Sequence, residues 1–366
     1  MTIKRYLLVV AFILLAYCNA LAGGVGTWKN YLAYSDVQWV EEGSNKLYVL
    51  ASNSLYTYNK NDQSIKTYDK VNGLSDMDIR FIAWNKTARR LVIIYSNNNI
   101  DLLDDRGNVT NVPDYYLKTT MADKTVNGID ISGVYCYLST GFGLVKLNVA
   151  KAEISDSYNL SFPVNYSYIE GGYIYAASQR NGLYRAALSD NLLDRNNWTN
   201  VGTYVERPRT ADAALLAQAK TLNPGGPKRN TFVWTTFLNN RLYGTGGIYN
   251  PTVNNWENPG IVQVLQGDDW DFFEDNLSTR TGYPYIGTKA VAIDPRNSNH
   301  VYVGARTGLY EFMSGKMVAV YNKDNSILQG AIDRGRELGN DYVLVYGLAY
   351  DLSLIHISEP TRRRGI

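Results

Sequence analysis

Val301-Tyr302-Val303-Gly304-Ala305-Arg306-Thr307-Gly308-Leu309-Tyr310-Glu311-Phe312 reads as a β-hairpin. Two alternating apolar segments flank a short polar turn, and a glycine opens the second segment. Earlier copies of the pattern begin at Leu47, Leu91, Cys136, Ile174 and, in degenerate form, Leu242. Their second halves are Ser54-Leu55-Tyr56-Thr57-Tyr58, Asn99-Ile100-Asp101-Leu102-Leu103, Gly143-Leu144-Val145-Lys146-Leu147 and Gly182-Leu183-Tyr184. The first three intervals are 44, 45 and 38 residues, and the later two are longer. Short strands repeating every 40 to 50 residues are the signature of propeller blades. A further strand precedes the hairpin, as at Phe81-Ile82-Ala83-Trp84-Asn85 and Val291-Ala292-Ile293-Asp294. Gly347-Leu348-Ala349-Tyr350-Asp351 has the same look and suggests the start of a seventh unit. The expected fold is an all-β propeller, seven-bladed, with its last blade truncated and a short helical insertion. One blade cannot bury both its faces, so neighbours must cover them.

The two ends are set apart from this fold. Lys4 and Arg5, then the apolar run Tyr6 to Tyr17, then Ala20-Leu21-Ala22, read as a signal peptide over residues 1–22. Cys18 admits a lipoprotein reading, which the bulky Tyr17 before it opposes. Leu352 to Arg362 reads as the translation of a transposon sequencing adapter, so residues 352–366 are expected to be artefact and the propeller to occupy 23–351. The 36 Lys and Arg against 34 Asp and Glu then change from +2 to about −2, because Lys4, Arg5, Arg362, Arg363 and Arg364 leave with only Glu359. Such a balance gives no support to nucleic-acid binding. Cys136 remains the only cysteine of 23–351, which excludes an internal disulfide, and His300 the only histidine. That leaves no multi-histidine metal site, and a Ser-His-Asp triad only through His300. His300 follows the turn Asp294-Pro295-Arg296-Asn297 and reads as a loop or strand-edge residue. The chain contains no Walker loop, G-x-G-x-x-G, G-x-S-x-G or zinc spacing, so no cofactor and no enzyme activity are expected.

The spacing breaks after the fourth copy. Ala211-Asp212-Ala213-Ala214-Leu215-Leu216-Ala217-Gln218-Ala219-Lys220 reads as a short helix that Thr210 can cap and Asn223-Pro224-Gly225-Gly226 stops. Insertions on propellers fall in loops, where binding residues concentrate. Arg207, Arg209, Lys220, Lys228 and Arg229 lie in this stretch against Asp212 alone. Arg207, Arg209, Lys228 and Arg229 are the candidate ligand-binding residues, suited to phosphate or carboxylate. Asp268, Asp269, Asp271, Glu274 and Asp275 form an acidic cluster, but its spacing is not that of a calcium loop, and no metal site is expected.

Several strings carry a family resemblance. Trp28-Lys29-Asn30-Tyr31-Leu32-Ala33-Tyr34-Ser35-Asp36, Asn72-Gly73-Leu74-Ser75-Asp76, Tyr95-Ser96-Asn97-Asn98-Asn99-Ile100-Asp101-Leu102-Leu103 and Leu138-Ser139-Thr140-Gly141-Phe142-Gly143 resemble the N-terminal propeller of the PorZ family of type IX secretion systems. The resemblance implies a non-catalytic component on the outer surface of the outer membrane, with the periplasm as alternative. It implies two propellers and a C-terminal sandwich in the whole protein. It also implies anionic lipopolysaccharide as ligand, delivered to the sortase PorU in a complex with PorV and PorQ. The Asn-Gly-Leu-Ser-Asp string also occurs in two-component regulator propellers. A glycan-sensing propeller of a hybrid two-component regulator therefore stays open as the alternative, and a polysaccharide-cleaving propeller enzyme is disfavoured for want of paired catalytic residues.

Overall fold

The computed structural model describes residues 28–119, 123–246, 259–351 and 356–357. The expected signal peptide, the Cys18 question and most of the adapter-like tail lie outside them. Six four-stranded antiparallel sheets follow one another, each a meander with strands in sequence order. They are the blades of a β-propeller: blade 1 spans 37–68, blade 2 79–111, blade 3 126–159, blade 4 166–202, blade 5 234–272 and blade 6 290–321. The inner strands are Val37–Gly43, Ile79–Asn85, Val126–Ser132, Tyr166–Glu170, Trp234–Leu238 and Ala290–Asp294. The repeated apolar segments fall on the second strands, from Lys46–Ala51 to Asn297–Ala305.

Alternation explains how each blade is covered on both sides, because successive side chains leave opposite faces of a strand. In blade 2, Leu91, Ile93 and Tyr95 pack with Tyr48, Leu50 and Leu55 of blade 1. Val92 and Ile94, one residue out of phase, pack with Val126, Cys136 and Leu138 of blade 3. Tyr137 and Leu144 then meet Ile174 and Ala176 of blade 4. A separate cluster joins Tyr243 and Val264 of blade 5 to Val301, Val303 and Phe312 of blade 6. The glycine that opens the third strand has a structural cause. Gly143 (φ +149°), Gly182 (φ +94°) and Gly308 (φ +130°) lie in backbone that L side chains rarely adopt, and a Cβ on any of them would strike the carbonyl of Tyr158, Gly202 or Tyr321.

The insertion helix is real but shorter than the sequence suggests. It runs Ala213–Ala219, and its cap is Asp212, not Thr210: the Asp212 carboxylate accepts from the Ala214 and Leu215 amides, both at 2.9 Å. A carboxylate there also meets the positive end of the helix. Leu215, Leu216 and Ala219 cover the face of blade 1 formed by Val40, Leu47, Val49 and Tyr56, and the Tyr56 hydroxyl donates to the Ala219 carbonyl at 3.1 Å.

Among the described residues, the stretch expected to open a seventh unit forms the short strand Tyr350–Asp351. Tyr350–Asp351 pairs with His356–Ile357, while Val343 and Val345, both buried, run beside Thr307 and Ala305 of blade 6. His300 sits within the strand Asn297–Ala305 rather than in a loop, with Nε2 2.7 Å from Glu311 Oε1.

Candidate binding site

The chain leaves blade 4 at Gly202 and does not pass straight to blade 5. Residues 204–209 first cross the inner strands of the first four blades. Pro208 disfavours helical backbone at Arg207. Arg207 and Arg209, two residues apart, reach different blades. The Tyr204 ring lies against Tyr166 of blade 4, centroids 5.9 Å apart, and the Tyr166 hydroxyl donates to the Val205 carbonyl at 2.6 Å. The Arg207 guanidinium lies 4.9 Å from the Tyr168 ring centroid, also on blade 4.

Arg209 is held from blades 1 and 2. Its guanidinium stacks 4.0 Å from the Trp39 ring and donates to Glu41 Oε1 at 2.7 Å and to the Ile82 carbonyl at 2.8 Å. Trp39 Nε1 donates to the same Glu41 oxygen at 2.8 Å, so the carboxylate is also tied within its own strand. A planar guanidinium suits this combination of ring face, carboxylate and carbonyl.

Asp130 on the inner strand of blade 3 completes the group. Burial pushes its carboxyl up to about 6, and Arg207 and Arg209 pull in the opposite direction. Desolvation lowers the Arg209 pKa, against Glu41, Cys136 and Asp130, which raise it. The Arg209 side chain nevertheless keeps 32% of its surface accessible, so water still reaches it. Burial also pushes up the thiol of the nearby Cys136, which leaves it an inert packing residue between blades 2 and 3. Asp130, Ser132, Tyr168, Glu170 and Arg207 border a polar cleft of about 270 Å³.

The four cations picked from the sequence are thus divided. Arg207 and Arg209 reach the inner strands of blades 1 to 4. Lys228 instead pairs with Asp275 at 2.6 Å, and Arg229 is tied by its backbone to the Gln263 side chain of blade 5 at 2.9 and 3.0 Å. The acidic cluster is spread among separate partners: Asp268 meets Lys29, Glu274 meets Arg280, and Asp275 meets Lys228. Sequence reasoning missed Trp39, Glu41, Asp130 and Tyr168. Asp130 carried a signal, being a lone acid between Ile129 and Ile131 in an apolar strand. A second cleft of about 350 Å³, bordered by Tyr31, Asp69, Asp76, Asp78 and Phe232, includes the Asp76 of the Asn-Gly-Leu-Ser-Asp string.

Comparison with known proteins bears on this architecture directly. Residues 47–199 match the PorZ N-terminal β-propeller domain of the type IX secretion system. The resemblance to PorZ read from the sequence therefore stands. The solved structure of PorZ from Porphyromonas gingivalis, described as an essential surface component of that system, is 22% identical with a TM-score of 0.74. The alignment covers 90% of this chain and 56% of that one, so the chain spans little more than half the length of that PorZ. Extracellular domains of two B. thetaiotaomicron proteins also match. One, from a hybrid two component system, is 13% identical over 82% of this chain and 42% of that chain, with a TM-score of 0.36. The other, from a one component system, is 14% identical over 78% and 41%, with a TM-score of 0.35. No curated protein matches the chain.

Proposed function

We propose that this PorZ-like propeller is an exported, non-catalytic component of a type IX secretion system. It works at the outer surface of the outer membrane, where it holds anionic lipopolysaccharide for the sortase PorU in company with PorV and PorQ. The observation that carries this reading is the match of residues 47–199 to the PorZ N-terminal propeller. The insertion supports it chemically. Arg207 and Arg229 form no ion pair among the described residues, while Arg209 and Lys228 are each held by one carboxylate that an anionic ligand would have to replace.

The test is binding of purified anionic lipopolysaccharide to the chain with Arg207, Arg209, Lys228 and Arg229 neutralised together. Four lost phosphate or carboxylate contacts should weaken binding at least ~10-fold and flatten its salt dependence. Unchanged affinity would remove the insertion from the ligand site. Failure of the intact protein to co-purify with PorU, PorV or PorQ would remove the assembly role.

A further inference from the structure

The segment 204–209 is held in an unusual way. Among the described residues, its one engaged backbone group is the Val205 carbonyl. Everything else that fixes it is side-chain recognition: one tyrosine on Tyr166, one arginine on Tyr168, and one arginine on Trp39, Glu41 and Ile82. No strand ladder ties it to any blade, although the insertion helix just after it is firmly packed on blade 1.

Part of the receiving surface is tied together within the blades. Glu41 accepts from the Trp39 indole within the same inner strand. The two guanidinium seats come from different blades, Trp39, Glu41 and Ile82 on one side and Tyr168 on the other, with the Asp130 carboxylate influencing both arginines. The two seats are spaced to take arginines two residues apart, one reaching blade 4 and the other blades 1 and 2. An Arg-X-Arg strand of other origin would meet the same contacts.

We propose that the inner strands of blades 1 to 4 form a binding site for an extended peptide bearing two arginines two residues apart, that residues 204–209 fill this site in cis, and that an Arg-X-Arg strand of a partner protein takes it when this segment withdraws. The site is for a cationic peptide and does not rest on the lipopolysaccharide reading. Withdrawal would, in addition, release Arg207 and Arg209 for an anion.

The probe is a fluorescein-labelled peptide of sequence Thr-Tyr-Val-Glu-Arg-Pro-Arg-Thr-Ala, matching residues 203–211, followed by anisotropy. The host is the chain with residues 204–209 replaced by a Gly-Ser linker of equal length, its fold checked by circular dichroism. This host should bind the peptide saturably, one to one. Adding Glu41→Gln should weaken binding ~10-fold or more, since a charge-assisted contact is lost. A peptide with both arginines changed to lysine should lose a similar factor, because lysine lacks the planar fork. The unaltered chain should bind at least ~100-fold more weakly, its own segment competing at millimolar effective concentration. A folded linker variant that ignores the peptide, or takes the lysine peptide equally well, overturns the proposal. If the linker variant does not fold, the unaltered chain serves. Trypsin cuts poorly before proline, so the Arg209–Thr210 bond reports release of the segment, and an excess of the uncleavable peptide Thr-Tyr-Val-Glu-Arg-Pro-Arg-Pro-Ala must speed its cleavage. Cleavage unaffected by peptide also overturns the proposal.

Discussion

The hairpin tyrosine can be compared between two groups of blades. Tyr48, Tyr137 and Tyr243 occupy it in blades 1, 3 and 5 and are 1%, 4% and 1% exposed. Tyr175 and Tyr302 occupy it in blades 4 and 6, and both are only half-buried. The first three are covered by the blade that follows. Tyr175 stacks instead on Tyr168 of its own blade at 4.5 Å with an interplanar angle of 3°, while the Tyr302 hydroxyl donates to Glu311 at 3.2 Å and its ring lies 6.1 Å from that of Tyr350. One residue type at one repeat position thus becomes core or surface according to what lies over it. Burial, not identity, sets its energetic weight.

Truncating the ring should break the comparison most sharply. Tyr48→Ala removes a buried ring stacked on Trp84 at 5.0 Å and should cost about 4 kcal/mol. Tyr175→Ala should cost only about 1 kcal/mol, a partly exposed stacked pair. Urea unfolding of both variants measures the gap, and equal costs would mean that blade 4 is covered as fully as blade 1. Next in size is backbone strain. Gly143→Ala places a Cβ against the Tyr158 carbonyl at φ +149°, whereas Gly133→Ala, at φ +56°, meets nothing within 4 Å. The first should cost about 3 kcal/mol and the second about 1 kcal/mol, the difference being the clash rather than the left-handed backbone alone.

A smaller effect probes the inner strand of blade 3. The Asp130 carboxyl is raised from 3.8 to about 6, so the folded chain holds this proton more tightly than the unfolded chain. Its contribution to stability is complete below pH 3.8 and is lost as pH rises through about 6. Asp130→Asn should therefore flatten stability against pH between 4 and 7. Arg209→Ala should move the Asp130 titration still higher, readable by carboxyl NMR. Smallest of all is Tyr48→Phe. The Tyr48 hydroxyl is buried with no hydrogen-bond partner, so its removal should change stability by less than about 0.5 kcal/mol, or raise it slightly. A loss above 1 kcal/mol would reveal a bound water there.

Much of the fold was legible because blades are local objects. A hairpin needs only alternation and a turn, both written within a dozen residues, and each expected copy lies on a second and third strand. The helix was legible from its alanine and leucine run, but its cap was not, since Thr210 and Asp212 both have capping chemistry and only backbone geometry chooses Asp212. The candidate site was half legible. Arg207 and Arg209 drew notice by charge density in an insertion, but their partners did not. Glu41 lies 168 positions from Arg209 and looks like any strand acid on its own.

By itself, then, the order of residues determined the repeating hairpins, the glycines where strands crowd, and the interruption after the fourth blade. These depend on interactions between near neighbours in the chain. Only the tertiary structure decided which tyrosines are core, that the insertion helix covers blade 1, and that two arginines meet the inner strands of other blades. Those outcomes depend on surfaces far apart in sequence, and their burial and pairing energies exist only once the sheets have been brought together.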